Sequence, residues 1–304
     1  MAPRPTLTIG LTTFRSPPDG PRPDVVSAAA AVERGGADRI VLPDHVVNGP
    51  DVGDYPWGRF PTAPDGEWLE PLTVLAAISA VTSTVRLGTG VLIAPLRPAA
   101  LLAKTVATLD VLSRGRVDLG VGVGWQAAEF AALGLEFEAR GQALTDTIRA
   151  CRALWEQSPA GIDTATVSFD QVFCSPAPDQ ARLPVWFSGR MTARNVQRIV
   201  QLGDGWIPIM GSTVGDISDG VQRLSDALAR SGRSIDEITV QSFLPVVRDD
   251  AGVMDVNASL ETVPDLCAAG VSDVYVNLRS LDPDVSDPES SCAAMVQALG
   301  DLTR

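Results

Sequence analysis

The chain has 304 residues, 45% of them apolar and 20% charged, which supplies a buried core and excludes a disordered, collagenous or membrane-spanning chain. Its 24 basic and 37 acidic residues leave a formal charge of -13, which opposes approach to phosphate polyanions and argues against a nucleic-acid partner. The opening MAPRPTLTIG lacks the apolar run of a signal peptide, and Arg86, Arg97 and Lys104 interrupt later apolar stretches, so a cytoplasmic protein without a membrane partner is expected.

Short β-rich runs alternate with longer amphipathic ones along the whole chain. Strands are expected at 6–11, 39–42, 85–92, 117–123, 184–188, 205–209, 238–247 and 273–277. Helices are expected near 23–34, 70–82, 98–113, 141–157, 192–202, 220–230, 259–269 and 288–302. Pro71, Pro98 and Pro288 stand where helices start, and Gly35-Gly36, Gly115, Gly203, Gly232 and Gly270 stand where they stop. Eight strand-helix units in series, with strands apolar along nearly their whole length, predict an α/β chain folded as a (β/α)8 TIM barrel, one domain over residues 1–304. Two segments exceed an ordinary connection: a long loop at 43–69 and an insertion at 158–183. The loop leaves the C-terminal end of a strand, where barrel enzymes place their sites, and carries Tyr55, Trp57, Phe60 and Trp68, so it is the candidate substrate loop.

Reactive side chains are scarce. His45 is the one histidine and Lys104 the one lysine, so no His-rich metal site is expected, and a Schiff base on a helix-surface lysine is a poor candidate. The four cysteines (Cys151, Cys174, Cys267, Cys292) lie far apart without C-x-x-C spacing and read as buried thiols. Chemistry that needs several titrating groups is hard to build from this inventory, which points to a cofactor.

Three places carry candidate chemistry. His45 follows Asp44 at the end of the second strand; it either moves a proton at the barrel mouth, tuned by that carboxylate, or is bonded into the long loop. Residues 122–127 (GVGWQA) satisfy G-x-G-x-x-A after a strand, but they sit in the fourth unit without the acidic partner of a dinucleotide fold, so Gly122 and Gly124 read instead as backbone that a flat ring approaches closely. Trp125 and Trp206 read as apolar walls or core. Residues 188–192 (SGRMT) join the fifth strand to a helix with Ser188, Gly189, Arg190 and Thr192, an inventory for an anion or, with Thr192 as N-cap, for a helix start alone.

From Leu87 through GTGVLIAPLRP and AKTVATLDVLSRGRVDLGVGVGW to Glu129-Phe130, the chain resembles the luciferase-like monooxygenase superfamily, closest to its actinobacterial coenzyme F-420 (deazaflavin) dependent oxidoreductases. The likeness continues through DH at 44–45, RG at 140–141, LW at 154–155, PVWFSG and GDGWIP. It implies a barrel with an insertion, a deazaflavin or flavin at its mouth, a non-proline cis peptide at Gly90-Val91 behind the ring, a phosphate loop at residues 188–192 and a histidine, His45, at the ring's reactive face. It also implies a homodimer and a separate cofactor reductase. The chain departs from the related dehydrogenases in carrying Trp125 where they carry a glutamate, with Glu129 one helical turn on, and in lacking the cations of a sugar-phosphate site. Segment 158–183 lacks much of the family pattern.

The sequence therefore predicts hydride transfer between C5 of coenzyme F-420 and a small organic substrate, with reduction of an activated C=C or C=N bond ahead of alcohol oxidation. His45 is the catalytic candidate, and Gly90, Val91, Gly122, Gly124, Trp125, Ser188, Gly189, Arg190 and Thr192 are the cofactor-binding candidates. The rival is a two-component FMN-dependent monooxygenase, and a non-catalytic flavin binder is the further alternative.

Overall fold

Parallel strands that are covered on both sides are mostly apolar, and strands such as Arg39–Leu42 and Val117–Gly122 are buried at every residue, their charged Arg39 and Asp118 included. The computed structural model describes residues 4–15, 22–250 and 252–302. In chain order the elements are β1 (Thr6–Gly10), α1 (Val25–Arg34), β2 (Arg39–Leu42), α2 (Pro71–Ser79), β3 (Arg86–Thr89), β4 (Leu92–Ile93), α3 (Ala99–Ser113), β5 (Val117–Gly122), α4 (Ala127–Ala132), α5 (Arg140–Glu156), β6 (Ala160–Asp163) and β7 (Ser168–Val172). They continue with β8 (Val185–Ser188), α6 (Ala193–Leu202), β9 (Gly205–Ile207), α7 (Val214–Arg230), β10 (Thr239–Phe243), α8 (Val256–Leu260), α9 (Val263–Ala268), β11 (Asp273–Asn277), α10 (Leu278–Leu281) and α11 (Pro288–Asp301).

The sheet runs β3-β2-β1-β11-β10-β9-β8-β5, all parallel, and β3 pairs with β5 to close it. β3 and β4 are two halves of one barrel strand, parted at Gly90-Val91, whose peptide bond is cis. The result is a closed (β/α)8 TIM barrel of eight strands with helices around it, as the alternating pattern predicts. Helix starts follow their chemistry: Asp24 accepts from Ser27 N at 3.1 Å ahead of α1, and Pro71 sits in the first turn of α2. The alanine-rich face of α1 lets α11 come close, and at Gly35 an added Cβ would lie 2.7 Å from the Cβ of Cys292.

Several boundaries differ from the sequence reading. Insertion 158–183 contains the antiparallel hairpin β6–β7, whose half-exposed strands carry little apolar alternation. Helix α7 begins six residues early, because Thr213 and Asp216 form a capping box that Gly215 and Gly220 disguise. The helix expected at 259–269 is two short helices, parted at Glu261 and Thr262 ahead of Pro264. Cys151 and Cys292 are buried thiols, but Cys174 is half-buried and Cys267 exposed, so the buried reading holds for two of the four.

Beneath the barrel mouth lies a layer of charge. Arg39 Nε donates to Asp118 at 2.7 Å, its Nη1 donates to Asp273, and its guanidinium lies 4.2 Å from the Trp186 ring centre. Asp273 also accepts from Thr6, Thr8 and Gln241, and Asp118 from Arg86, so each buried carboxylate has several donors. Burial still pushes the Asp273 carboxyl up, against the pull of Arg39. No helix among the described residues is long and apolar enough to cross a membrane.

Candidate active site

The C-terminal ends of the strands surround a cleft of about 340 Å³. Its floor is Gln241, whose side chain also touches the charged layer through Asp273. One wall is backbone-rich: Gly90, Val91, Gly122, Gly124, Ser188 and Gly189. Gly124 has φ +78°, and a Cβ there would lie 2.8 Å from Ile93 and 2.9 Å from Phe130, so only glycine carries the chain through that turn. At Gly122 a Cβ would reach within 2.8 Å of Val91, so β5 and the broken strand can meet side by side only without one.

The rest of the lining is largely aromatic and comes mainly from the long loop. Tyr55, Trp57, Phe60 and Trp68 face the cleft with Trp125. Phe60 and Trp68 stack at 5.8 Å and 19°, Tyr55 meets Trp125 edge-on at 5.3 Å, and Phe14 packs on Trp68 at 4.5 Å. His45 is set among these rings, 4.9 Å from Trp68 and 5.3 Å from Phe60.

What fixes His45 is a carboxylate from α4, which follows β5, two strands along the barrel from β2. Glu129, on α4 and wholly buried, lies 3.2 Å from His45 Nδ1 and accepts at 2.6 Å from Val46 N. A carboxylate in this position accepts, so Nδ1 carries the proton and Nε2 is the nitrogen left for the cleft. One turn earlier, Gln126 accepts from Gly49 N. The first turn of α4 thus clasps the root of the long loop at both Val46 and Gly49. At Gly49 a Cβ would lie 2.5 Å from that of Ala128, which is the measure of how closely loop and helix meet.

Asp44, expected to tune its neighbour His45, does something else. Arg97 grips it through two hydrogen bonds of 2.7 and 2.9 Å, and Ile93 N donates to it at 2.8 Å. It ties β2 to β4 while Glu129 serves the histidine. Two phenols complete the cleft, Tyr55 and Tyr275, both pushed up by burial, the latter against a hydrogen bond from Asn277, so both remain neutral donors.

Of the residues singled out from sequence, His45, Gly90, Val91, Gly122, Gly124, Trp125, Ser188 and Gly189 line this one cleft. Arg190 and Thr192 do not. Arg190 is exposed beyond the rim, and the Thr192 hydroxyl is the N-cap of α6, accepting from Asn195 N at 3.3 Å. The buried Asn195 side chain donates to the carbonyls of Ser188 and Arg190, holding this turn against the helix start. Arg194 and Arg198 lie together beside Gly141, and burial with the Arg194 charge brings the Arg198 guanidinium down to about 10. The rim near α6 is therefore positively charged on a chain of formal charge -13.

A second hollow, of about 470 Å³, lies between α1, α10 and α11. Its Arg22 and Arg34 are paired with Glu67 and Glu289, and it contains none of the candidate residues.

The luciferase-like monooxygenase family model matches residues 9–258. The chain belongs to that family. This luciferase-like chain is 34% identical over 231 residues to the uncharacterized protein Rv0953c of Mycobacterium tuberculosis, covering 72% of this chain and 79% of that one. It is 27% identical over 239 residues to the pyrimidine monooxygenase RutA of Methylobacterium radiotolerans, covering 73% of this chain and 61% of the other. Among solved structures, an F420-dependent secondary alcohol dehydrogenase in complex with an F420-acetone adduct superposes with a TM-score of 0.79 over 97% of this chain and 99% of that one at 16% identity, a likeness of fold.

Proposed function

We propose that this chain is an oxidoreductase that uses coenzyme F-420 and reduces an activated C=C or C=N bond of a small organic substrate. The observation that carries the reading is His45, with Nδ1 held by a buried carboxylate and Nε2 left for the cleft, in one cleft with a glycine-rich lining suited to a flat ring. Gly90, Val91, Gly122 and Gly124 would back that ring. Ser188 and Gly189, with the cationic rim beyond them, would take its phosphate, and Arg190 and Thr192 would act from outside the cleft. The bound cofactor supplies the hydride.

The chain's own part is the proton. Reduction of C=C or C=N adds hydride at one atom and a proton at the other, and His45 Nε2 is the ring nitrogen on the cleft side, placed to hand over that proton. Glu129 stabilises the imidazolium before transfer and fixes the ring's orientation after it. Trp68 and Phe60 keep water from the reacting atoms. Continued turnover requires a separate enzyme to restore the cofactor's redox state.

A second reading, an FMN-dependent monooxygenase supplied with reduced flavin, is favoured by the aromatic wall, which would also keep water from an oxygenating centre, and by the similarity to RutA. Incubation with reduced coenzyme F-420 and a panel of enones and imines without oxygen separates the two. Substrate-dependent oxidation of the deazaflavin supports the first reading, and turnover only with reduced FMN and oxygen supports the second.

A further inference from the structure

We infer that the substrate half of the cleft selects an uncharged, flat, ring-sized molecule; this rests on the cofactor lying along the glycine wall. No arginine or lysine lines the cleft among the described residues. Three arginines placed nearby are engaged elsewhere, Arg97 with Asp44 and Glu70, Arg39 below the floor with Asp118 and Asp273, and Arg22 with Glu67, while Arg59 and Arg190 are exposed outside the lining. Lys104 donates to Ser175 O on the outside of the barrel.

The acids leave no net attraction for a cation either. Asp44 is gripped by Arg97 through both oxygens, and Glu129 is spent on His45 and Val46 N. An anionic group entering here loses its hydration, meets no counter-ion and faces the Glu129 carboxylate behind the histidine. A cationic group finds aromatic faces but no open carboxylate. What the walls do offer is apolar ring surface: Trp57, Phe60, Trp68 and Trp125 on one side, Phe243 and Tyr275 on the other. Phe243 and Tyr275 themselves meet edge-on at 4.8 Å, and a Cβ on Gly10 would lie 2.1 Å from the Tyr275 hydroxyl, so Tyr275 stands in a slot that glycine leaves open.

The test is calorimetric titration of the full chain with 2-acetylnaphthalene and with the same skeleton carrying a 6-carboxylate or a strongly hydrated 6-ammoniomethyl group, each at low and high salt. The neutral ketone is expected to bind about tenfold or more tightly than either charged congener, with no salt dependence. The Trp57→Lys variant, at a rim position 39% exposed, is expected to raise the affinity of the carboxylate relative to that of the ketone by about tenfold or more. Equal or tighter binding of the carboxylate by the unaltered chain, tighter binding of the ammonium compound, or failure of all three to bind overturns the inference. A parallel titration with coenzyme F-420 separates this from the cofactor reading: loss of the ranking with the deazaflavin still bound refutes only the substrate class, whereas an intact ranking without deazaflavin binding refutes the cofactor.

Discussion

The Glu129 carboxylate, wholly buried on α4, meets Nδ1 of His45 at 3.2 Å although 84 residues separate them, and its second oxygen accepts from Val46 N at 2.6 Å. One side chain thus orients the cleft's single histidine and anchors the loop that supplies the aromatic wall.

Replacing His45 with Ala is expected to lower kcat by about 10²–10⁴-fold, the usual worth of a positioned proton-transfer group, while cofactor affinity stays within about threefold. Steady-state kinetics and a cofactor titration on the same preparation check this. A parallel fall in melting temperature and cofactor affinity with kcat unchanged would make His45 a packing residue.

Glu129 acts through His45, so its variants should divide. Glu129→Gln keeps an acceptor for Val46 N and is expected to lower kcat with little change in KM, and to alter the His45 ring-nitrogen NMR signature of an Nδ1-protonated imidazole. Glu129→Leu leaves the Val46 N–H and the histidine without an acceptor and should cost about 1–3 kcal/mol of stability for each group left unpaired. An unchanged ring-nitrogen spectrum in Glu129→Gln would contradict the positioning role.

Arg39 neutralises two buried carboxylates under the cleft floor. Arg39→Met is expected to destabilise the barrel by about 3–5 kcal/mol, because Asp118 and Asp273 then share an apolar interior without it. Urea denaturation measures the change, and a loss below about 1 kcal/mol would show that Arg86, the threonines and Gln241 carry the carboxylates alone.

The long loop has an acid-sensitive tether. Hydrogen bonding from Arg22 foremost, with Arg15, pulls the Glu67 carboxyl down to about 2 from 4.5. Because the folded value lies below the unfolded one, the stabilisation is present above pH about 4.5 and is lost as pH falls toward about 2. Glu67→Gln should therefore show a shallower fall in melting temperature across that window than the unaltered chain. Identical acid limbs would mean that the tether contributes nothing.

Most of the barrel was legible because its strands are short β-rich runs between glycine or proline punctuation, as at 39–42 and 273–277, and the hairpin in 158–183 was not, since its strands pack against little. The cleft's glycine wall was legible too, from residues 90–91 and 122–124. The partner of His45 was not. Adjacency suggested Asp44, yet in a parallel strand end successive side chains diverge, and Asp44 turned to Arg97 while α4 brought Glu129 across. The available signal was a lone glutamate in AAEFAA at 127–132, an acid among alanines and a phenylalanine in a helix only six residues long. Arg190 and Thr192 stand outside the cleft lining, which the sequence could not show because a cap and an anion loop use the same residue types.

The proposed function requires that the cleft bind a deazaflavin. Its most direct test is parallel fluorescence titration of the purified chain with coenzyme F-420 and with FMN. Affinity for the deazaflavin at about micromolar or tighter, roughly 8 kcal/mol of binding free energy, with FMN at least tenfold weaker, is the predicted result. Tighter binding of FMN would contradict it and place the oxygen-dependent reading first.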